Sequence, residues 1–316
     1  YWMFIAGSFL IGMSRSAIEQ TRYVAAEVSP RGKRAKAIGL IVFSSAVGSL
    51  ASRMVMGIND QLTEIIGITY LAGPWLLTIV LMGIAILLNQ VFLRPDPMQL
   101  GQQVASREED SETRSTRTMR PMSEIFRLPN VIMAVAVMAL AQIGMVVVMV
   151  VTPLHIDYEG YGTLSISTAL MLHTLGMFAF ASITGWLVGR LGRMPVVWMG
   201  VILMFGAGFA GYAAVTLVSL YFAVFLLGLG WNLCYIAGST LFSDELISQE
   251  RGRAQGISEV VVAMSAAVGS LASGSIYGAY GYSGVNIAAL AVVGFIAISV
   301  LITRGTVNAA GTFNPE

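Results

Sequence analysis

The chain has 316 residues, of which 56% are hydrophobic and 11% charged, with a formal net charge of +1. A soluble domain carries about 25% charged residues, so this composition argues against a soluble globule, and a mean hydropathy of +0.76 argues against a disordered chain. A membrane-embedded protein remains, and a near-neutral balance without a basic stripe excludes nucleic acid as a partner.

Nine apolar stretches are long enough to cross a hydrocarbon core of ~30 Å, which takes about 20 helical residues. They cover residues 1–26, 37–57, 68–93, 130–153, 164–189, 194–215, 219–243, 254–278 and 284–303. Runs such as Val131–Val151 and Val196–Ala210 are continuously apolar, where a membrane β-strand would alternate. The expected fold class is an all-α membrane protein. Tyr1 reads as an internal start, since no basic region or cleavage site of a signal peptide is present.

The first span carries Arg15, Glu19 and Arg22. At 100° per residue these share a sector of about 60°, and Glu19 is spaced to pair with either arginine. Ionisable groups at membrane depth normally face protein or water and mark function. Arg15 and Glu19 are therefore candidates for a charge- or proton-holding site; the alternative is a structural triplet with Arg22 reaching to the interface. After the third span, Arg94–Pro129 is long, mixed in charge and carries Pro at 95, 97, 121 and 129. It reads as a solvated linker, disordered in its middle, and divides the chain into 1–93, 94–129 and 130–316.

Gln142 sits mid-way along the fourth span, as packing or as a substrate contact. His155 reads as an outer-loop residue. His173, in the fifth span, is either a hydrogen-bonded structural histidine or a proton-coupling group. The seventh span holds Gly230-Trp231-Asn232-Leu233-Cys234-Tyr235 at its centre. A lipid-facing Trp prefers the interface, so Trp231 beside Asn232, with Tyr235 one turn on, reads as a cavity wall; interhelical packing with Asn232 as polar glue is the alternative. Glu259 either titrates or makes gating contacts.

Fifteen of the 18 Lys and Arg residues follow the odd-numbered spans: Arg31, Lys33, Arg34, Lys36, then six in the linker, then Arg190, Arg193, Arg251, Arg253 and Arg304. The alternate loops hold none. By the positive-inside rule the arginine-bearing side and the C-terminus are cytoplasmic.

Ala46–Ser52 recurs letter for letter at Ala267–Ser273, with Arg31-Gly32-Lys33 answered by Arg251-Gly252-Arg253 and Phe9–Gly12 answered by Phe225–Gly228. The period is six spans, so the repeat is parallel. The second copy is complete and the first lacks three spans, which makes nine of an expected 12. Gly185-Trp186-Leu187-Val188-Gly189-Arg190-Leu191-Gly192-Arg193 resembles the Gly-x-Leu-x-Asp-Arg-x-Gly-Arg loop of the major facilitator superfamily, departing at Gly189. Ser29–Ala35 and Gln249–Gly256 are similar to the family's sequences after its fourth and tenth helices.

The resemblance implies a two-bundle helical fold entered at its fourth helix, and a monomer in the bacterial inner (plasma) membrane. It implies a secondary transporter of a small organic solute, working by alternating access as a proton-coupled exporter, an antiporter. An importer of a small organic anion and a non-transporting sensor are the alternatives. Arg15 and Glu19 would hold a charge or proton, and Gln142, His173, Trp231, Asn232 and Tyr235 would line the substrate and proton pathway. Arg31, Arg190, Arg193 and Arg251, with Gly185 and Gly192 of the loop, would meet acids such as Glu27 and Glu250 at a cytoplasmic gate. No cofactor or metal is expected, because Cys234 and the two histidines form no ligand cluster and no phosphate-binding loop occurs. The same scarcity of nucleophiles and ligands argues against an enzyme.

Overall fold

A computed structural model describes residues 2–29, 34–94, 96–97, 99–101 and 119–309. The middle of the expected linker, 102–118, and the gate candidate Arg31 lie outside the described residues. The described residues form helices and connecting turns, with no strand among them. Six stretches among them are long and apolar enough to cross a membrane: Gly73–Phe92, Pro129–Tyr158, Thr163–Leu191, Arg193–Tyr212, Leu217–Asp244 and Gly252–Ile302. Two compact units are present, one of residues 1–48 and 54–117, the other of 49–53 and 118–316.

α1 spans Trp2–Glu27, α2 Arg34–Ile66 and α3 Gly73–Phe92, with a short 3-10 turn at Tyr70–Ala72 before α3; all of these but residues 49–53 of α2 belong to the first unit. Hydropathy fades near Gly57, yet α2 continues, because nothing in the sequence stops a helix before Gly67. That glycine has φ +74°, and its N–H and that of Ile68 both donate to the Thr63 carbonyl, at 2.9 and 3.2 Å. This is the left-handed end a glycine permits. Asn59, 2% exposed, then donates its amide to the Tyr70 carbonyl at 3.0 Å and holds the turn into α3.

The second unit opens with the one-turn helix α4 (Met122–Ile125), then α5 (Pro129–Tyr158), α6 (Thr163–Phe178), α7 (Ala181–Leu191), α8 (Arg193–Tyr212) and α9 (Leu217–Asp244). A last helical run, α10 (Ser248–Ala309), is broken at Gly281, where φ is +64°. The break falls where the sequence places the turn between its last two spans. α5 does not end at Pro153 but continues over it, so His155 is on a helix, stacked on Tyr282 with ring centroids 4.3 Å apart. The linker is not solvated to its end either: Ile125 is fully buried and Phe126 packs on Phe242 at 6.1 Å.

α9 runs through the middle of this unit. Lipid supplies no hydrophobic drive between helices, so they associate where small residues admit close packing. Gly228 and Gly230 lie two residues apart, hence about 200° apart around the helix, on opposite faces. A Cβ on Gly228 would overlap the His173 carbonyl of α6, and one on Gly176 would stand 2.5 Å from the Phe225 carbonyl of α9. On the other face, a Cβ on Gly230 would stand 2.8 Å from Met204 N, and one on Gly200 would be 2.9 Å from the Gly230 carbonyl. α6 and α8 thus meet α9 backbone to backbone.

Overpacking a close contact costs about 1–3 kcal/mol. Gly228→Leu and Gly230→Leu are expected to cost stability of that order and so lower the thermal unfolding midpoint in detergent, whereas Gly206→Leu, which faces open space, leaves it unchanged. Equal midpoints for all three would contradict the crossing geometry.

Candidate functional site

The tight seating of α9 aims its next turn at the other helices of the unit. Trp231, 8% exposed, donates its indole Nε1–H to Gln142 Oε1 of α5 at 2.9 Å. Tyr235 lies one turn further along the same face. Its ring stacks on Trp231 with centroids 4.7 Å apart and an interplanar angle of 17°, and its hydroxyl donates to Glu259 Oε1 of α10 at 2.9 Å. Phe178 of α6 stands edge-on to Trp231 at 6.3 Å. Both polar handles of the aromatic pair are therefore anchored, which fixes the plane of the rings. Gln142, Trp231 and Tyr235 come together as one chain of contacts. Glu259 completes it, a member that sequence reasoning left undecided because its partner is a tyrosine on another helix.

Asn232 and His173 sit elsewhere. Asn232 is 2% exposed and points away from the stack. Its amide donates to the Met177 carbonyl at the end of α6, and its oxygen accepts from the Thr184 hydroxyl of α7. His173, 5% exposed, donates Nδ1–H to the Val224 carbonyl at 2.9 Å. That contact lies seven residues from Trp231, about 10 Å along α9. The other ring nitrogen, Nε2, is buried without a hydrogen-bond partner among the described residues.

The gate candidates described in this unit lie at the α7–α8 turn and at the α9–α10 corner. Gly192 has φ +88°, a conformation that favours glycine, and lets α7 turn directly into α8. Arg190 lies over the Trp186 ring at 5.3 Å, and Gly185 is exposed. Arg193 pairs with Asp244 at the end of α9, at 2.7 Å. Glu250 is held by Arg120, a linker residue the sequence does not single out. Arg120 Nη2 meets Glu250 Oε2 at 2.8 Å, while its Nε–H and backbone N–H donate to Oε1 at 3.0 and 2.9 Å. Arg120 also donates to the Glu245 carbonyl at 2.7 Å, and Asn130 donates to Glu245 Oε1 at 2.7 Å. The bidentate hydrogen bonding of Arg120 outweighs the cost of burial and holds the Glu250 carboxyl at about 2. Arg15, Glu19 and Glu27 lie on α1, but their side chains, with that of Arg251, lie outside the described residues.

The sequence profile of the Major Facilitator Superfamily matches residues 1–247 and, overlapping, 166–315. An uncharacterized MFS-type transporter of Bacillus subtilis, YdeG, is 28% identical over 83% of this chain and 61% of its own length. A second from that organism, YddS, is 27% identical over 93% of the chain and 67% of itself. The riboflavin transporter RfnT of Brucella anthropi is 22% identical over 96% of the chain and 72% of itself. The chain thus spans between three-fifths and three-quarters of these relatives.

The Arg120–Glu250 clamp has a signed pH dependence. The carboxyl titrates near 4.5 in its ordinary state and at about 2 when clamped, so the unfolded chain takes up the proton first. The clamp's contribution is complete above pH 4.5 and is lost as pH falls towards 2. Glu250→Gln is expected to lower the thermal midpoint at pH 7, with the gap to the unmodified protein closing below pH 4.5. A gap that stays constant with pH would show that the carboxylate charge is not what the clamp uses.

Proposed function

This chain belongs to the Major Facilitator Superfamily, and from that premise we propose that it is a secondary active transporter that exports a small organic solute in exchange for protons, by alternating access about a midplane site. The observation that carries the solute site is the Gln142–Trp231–Tyr235–Glu259 chain. An anchored aromatic pair with amide and carboxylate at its edges suits a flat, weakly polar solute. Asn232 is left out of that chain, because its amide is committed to α6 and α7. Arg15 and Glu19 of α1 hold the transported charge or proton, and His173 is a second candidate for the proton, through its buried Nε2.

The apolar helices place the protein in a membrane. We assign it to the bacterial inner membrane, as a monomer with a cytoplasmic C-terminus, on the arginine distribution and the Bacillus relatives. The arginines at the α7–α8 turn and around Glu250 then line the cytoplasmic face. A second reading, import of a small organic anion, draws its support from Arg15 and Arg22 on α1. Arg15→Gln separates the two: anion import is abolished, and export of a flat neutral solute is only weakened.

Riboflavin, for which the Brucella anthropi relative is named, is the first solute to test. In proteoliposomes its flux is expected to collapse with the proton gradient and to lose pH dependence in Glu19→Gln. Trp231→Ala is expected to weaken binding about tenfold, in line with loss of one aromatic stacking contact. Flux that ignores the gradient, or binding that ignores Trp231, would overturn the coupling and the site respectively.

A further inference from the structure

The span 163–191 is one apolar stretch in sequence but two helices in the structure. The last backbone bond of α6 runs from Ala179 N–H to the Leu175 carbonyl, and α7 resumes with Thr184 N–H donating to the Phe180 carbonyl. Sharp bends in helices come from proline, from Gly/Ser pairs, from a bulge, or from a foreign group inserted into the hydrogen-bond ladder. No proline lies between 164 and 191. The inserted group is visible: the Asn232 amide of α9 donates to the Met177 carbonyl, the acceptor that Ala181 N–H would take in an unbroken helix. The same side chain accepts from Thr184, one residue into the resumed ladder. One amide from a neighbouring helix therefore grips both sides of the break.

We propose that Asn232 is a positioning residue that imposes the bend between α6 and α7, and that its grip and release let α9 set the direction of α7. This rests on the transporter reading for its purpose, since α7 carries Arg190 and leads through Gly192 into Arg193. The geometry makes the bend reversible. With Asn232 withdrawn, the half-buried Met177 carbonyl loses its partner, and a bond from the Ala181 N–H closes the helical ladder in its place. α7 is 11 residues long, a lever of about 16 Å. Relaxing a bend of about 20° moves its far end by roughly 5 Å.

The test uses spin labels at Leu191 on α7 and Phe222 on α9, both exposed, in full-length protein with the buried Cys234 replaced by Ala. Asn232→Leu is expected to shift the Leu191–Phe222 distance by about 3–5 Å, the displacement that lever gives. The same variant is expected to slow hydrogen exchange at residues 181–183 as the ladder closes. A merely structural asparagine predicts the reverse, faster exchange and a broadened distance. If Asn232→Leu does not fold, Asn232→Ala carries the same two expectations. An unchanged distance together with unchanged or faster exchange in a folded variant overturns the proposal. Neither readout needs a solute, so a protein that moves no riboflavin but shows both shifts removes riboflavin as its solute and leaves this inference standing. Riboflavin binding retained with flux lost at least tenfold is the expected result where both hold.

Discussion

Two glycines on opposite faces of one helix set the arrangement of the C-terminal unit. Gly228 and Gly230 let α9 touch α6 and α8 through backbone atoms, at a distance no side chain permits. Once that is fixed, the rest of the turn has little choice. Trp231 is rotated towards α5 and Tyr235 follows it, so both rings point at the helices that carry Gln142 and Glu259. Asn232, another 100° round, meets the end of α6. Three polar groups that would be costly in an apolar interior are each delivered to a partner by the crossing, and none needs a loop to reach it.

A second set of forces acts at the end of the unit where α9 stops. Arg193 takes Asp244, Arg120 takes Glu250, and Asn130 takes the Glu245 side chain. These contacts join the starts of α5 and α8 and the last linker residues to the α9–α10 corner. Arg120 matters most, because Glu250 is fully buried and a buried carboxylate without its cation would be strongly unfavourable. The clamp and the packing of Ile125 and Phe126 pull part of the linker into the folded unit, so the linker's C-terminal end is a structural element.

Much of this was legible from sequence, and the misses share causes. The helices were visible because 20 apolar residues in lipid have few alternatives to helix. Their ends were misread at α2 and at Pro153, because hydropathy reports the apolar stretch while a helix ends only where a backbone demands it, as at Gly67. Trp231 and Tyr235 were found together because a single turn relates them. Glu259 and Arg120 were not placed, because each is defined by a partner distant in sequence. The break at 179–180 was invisible in principle: its cause is Asn232, which lies more than fifty residues away. The side chains of Arg15, Glu19, Glu27, Arg31 and Arg251 lie outside the described residues, so their roles rest on the sequence alone.

From Gly230 to Cys234 every residue of α9 is buried. The other helices of the unit cover that stretch. Hydrophobic mismatch acts where a helix meets the bilayer directly, through tilt and local thinning. Changes in membrane thickness therefore reach the Trp231–Tyr235 pair as they are passed on by the helices packed around it, α5, α6, α7, α8 and α10. The aromatic pair is insulated from the bilayer's mechanical state by the helices that grip it.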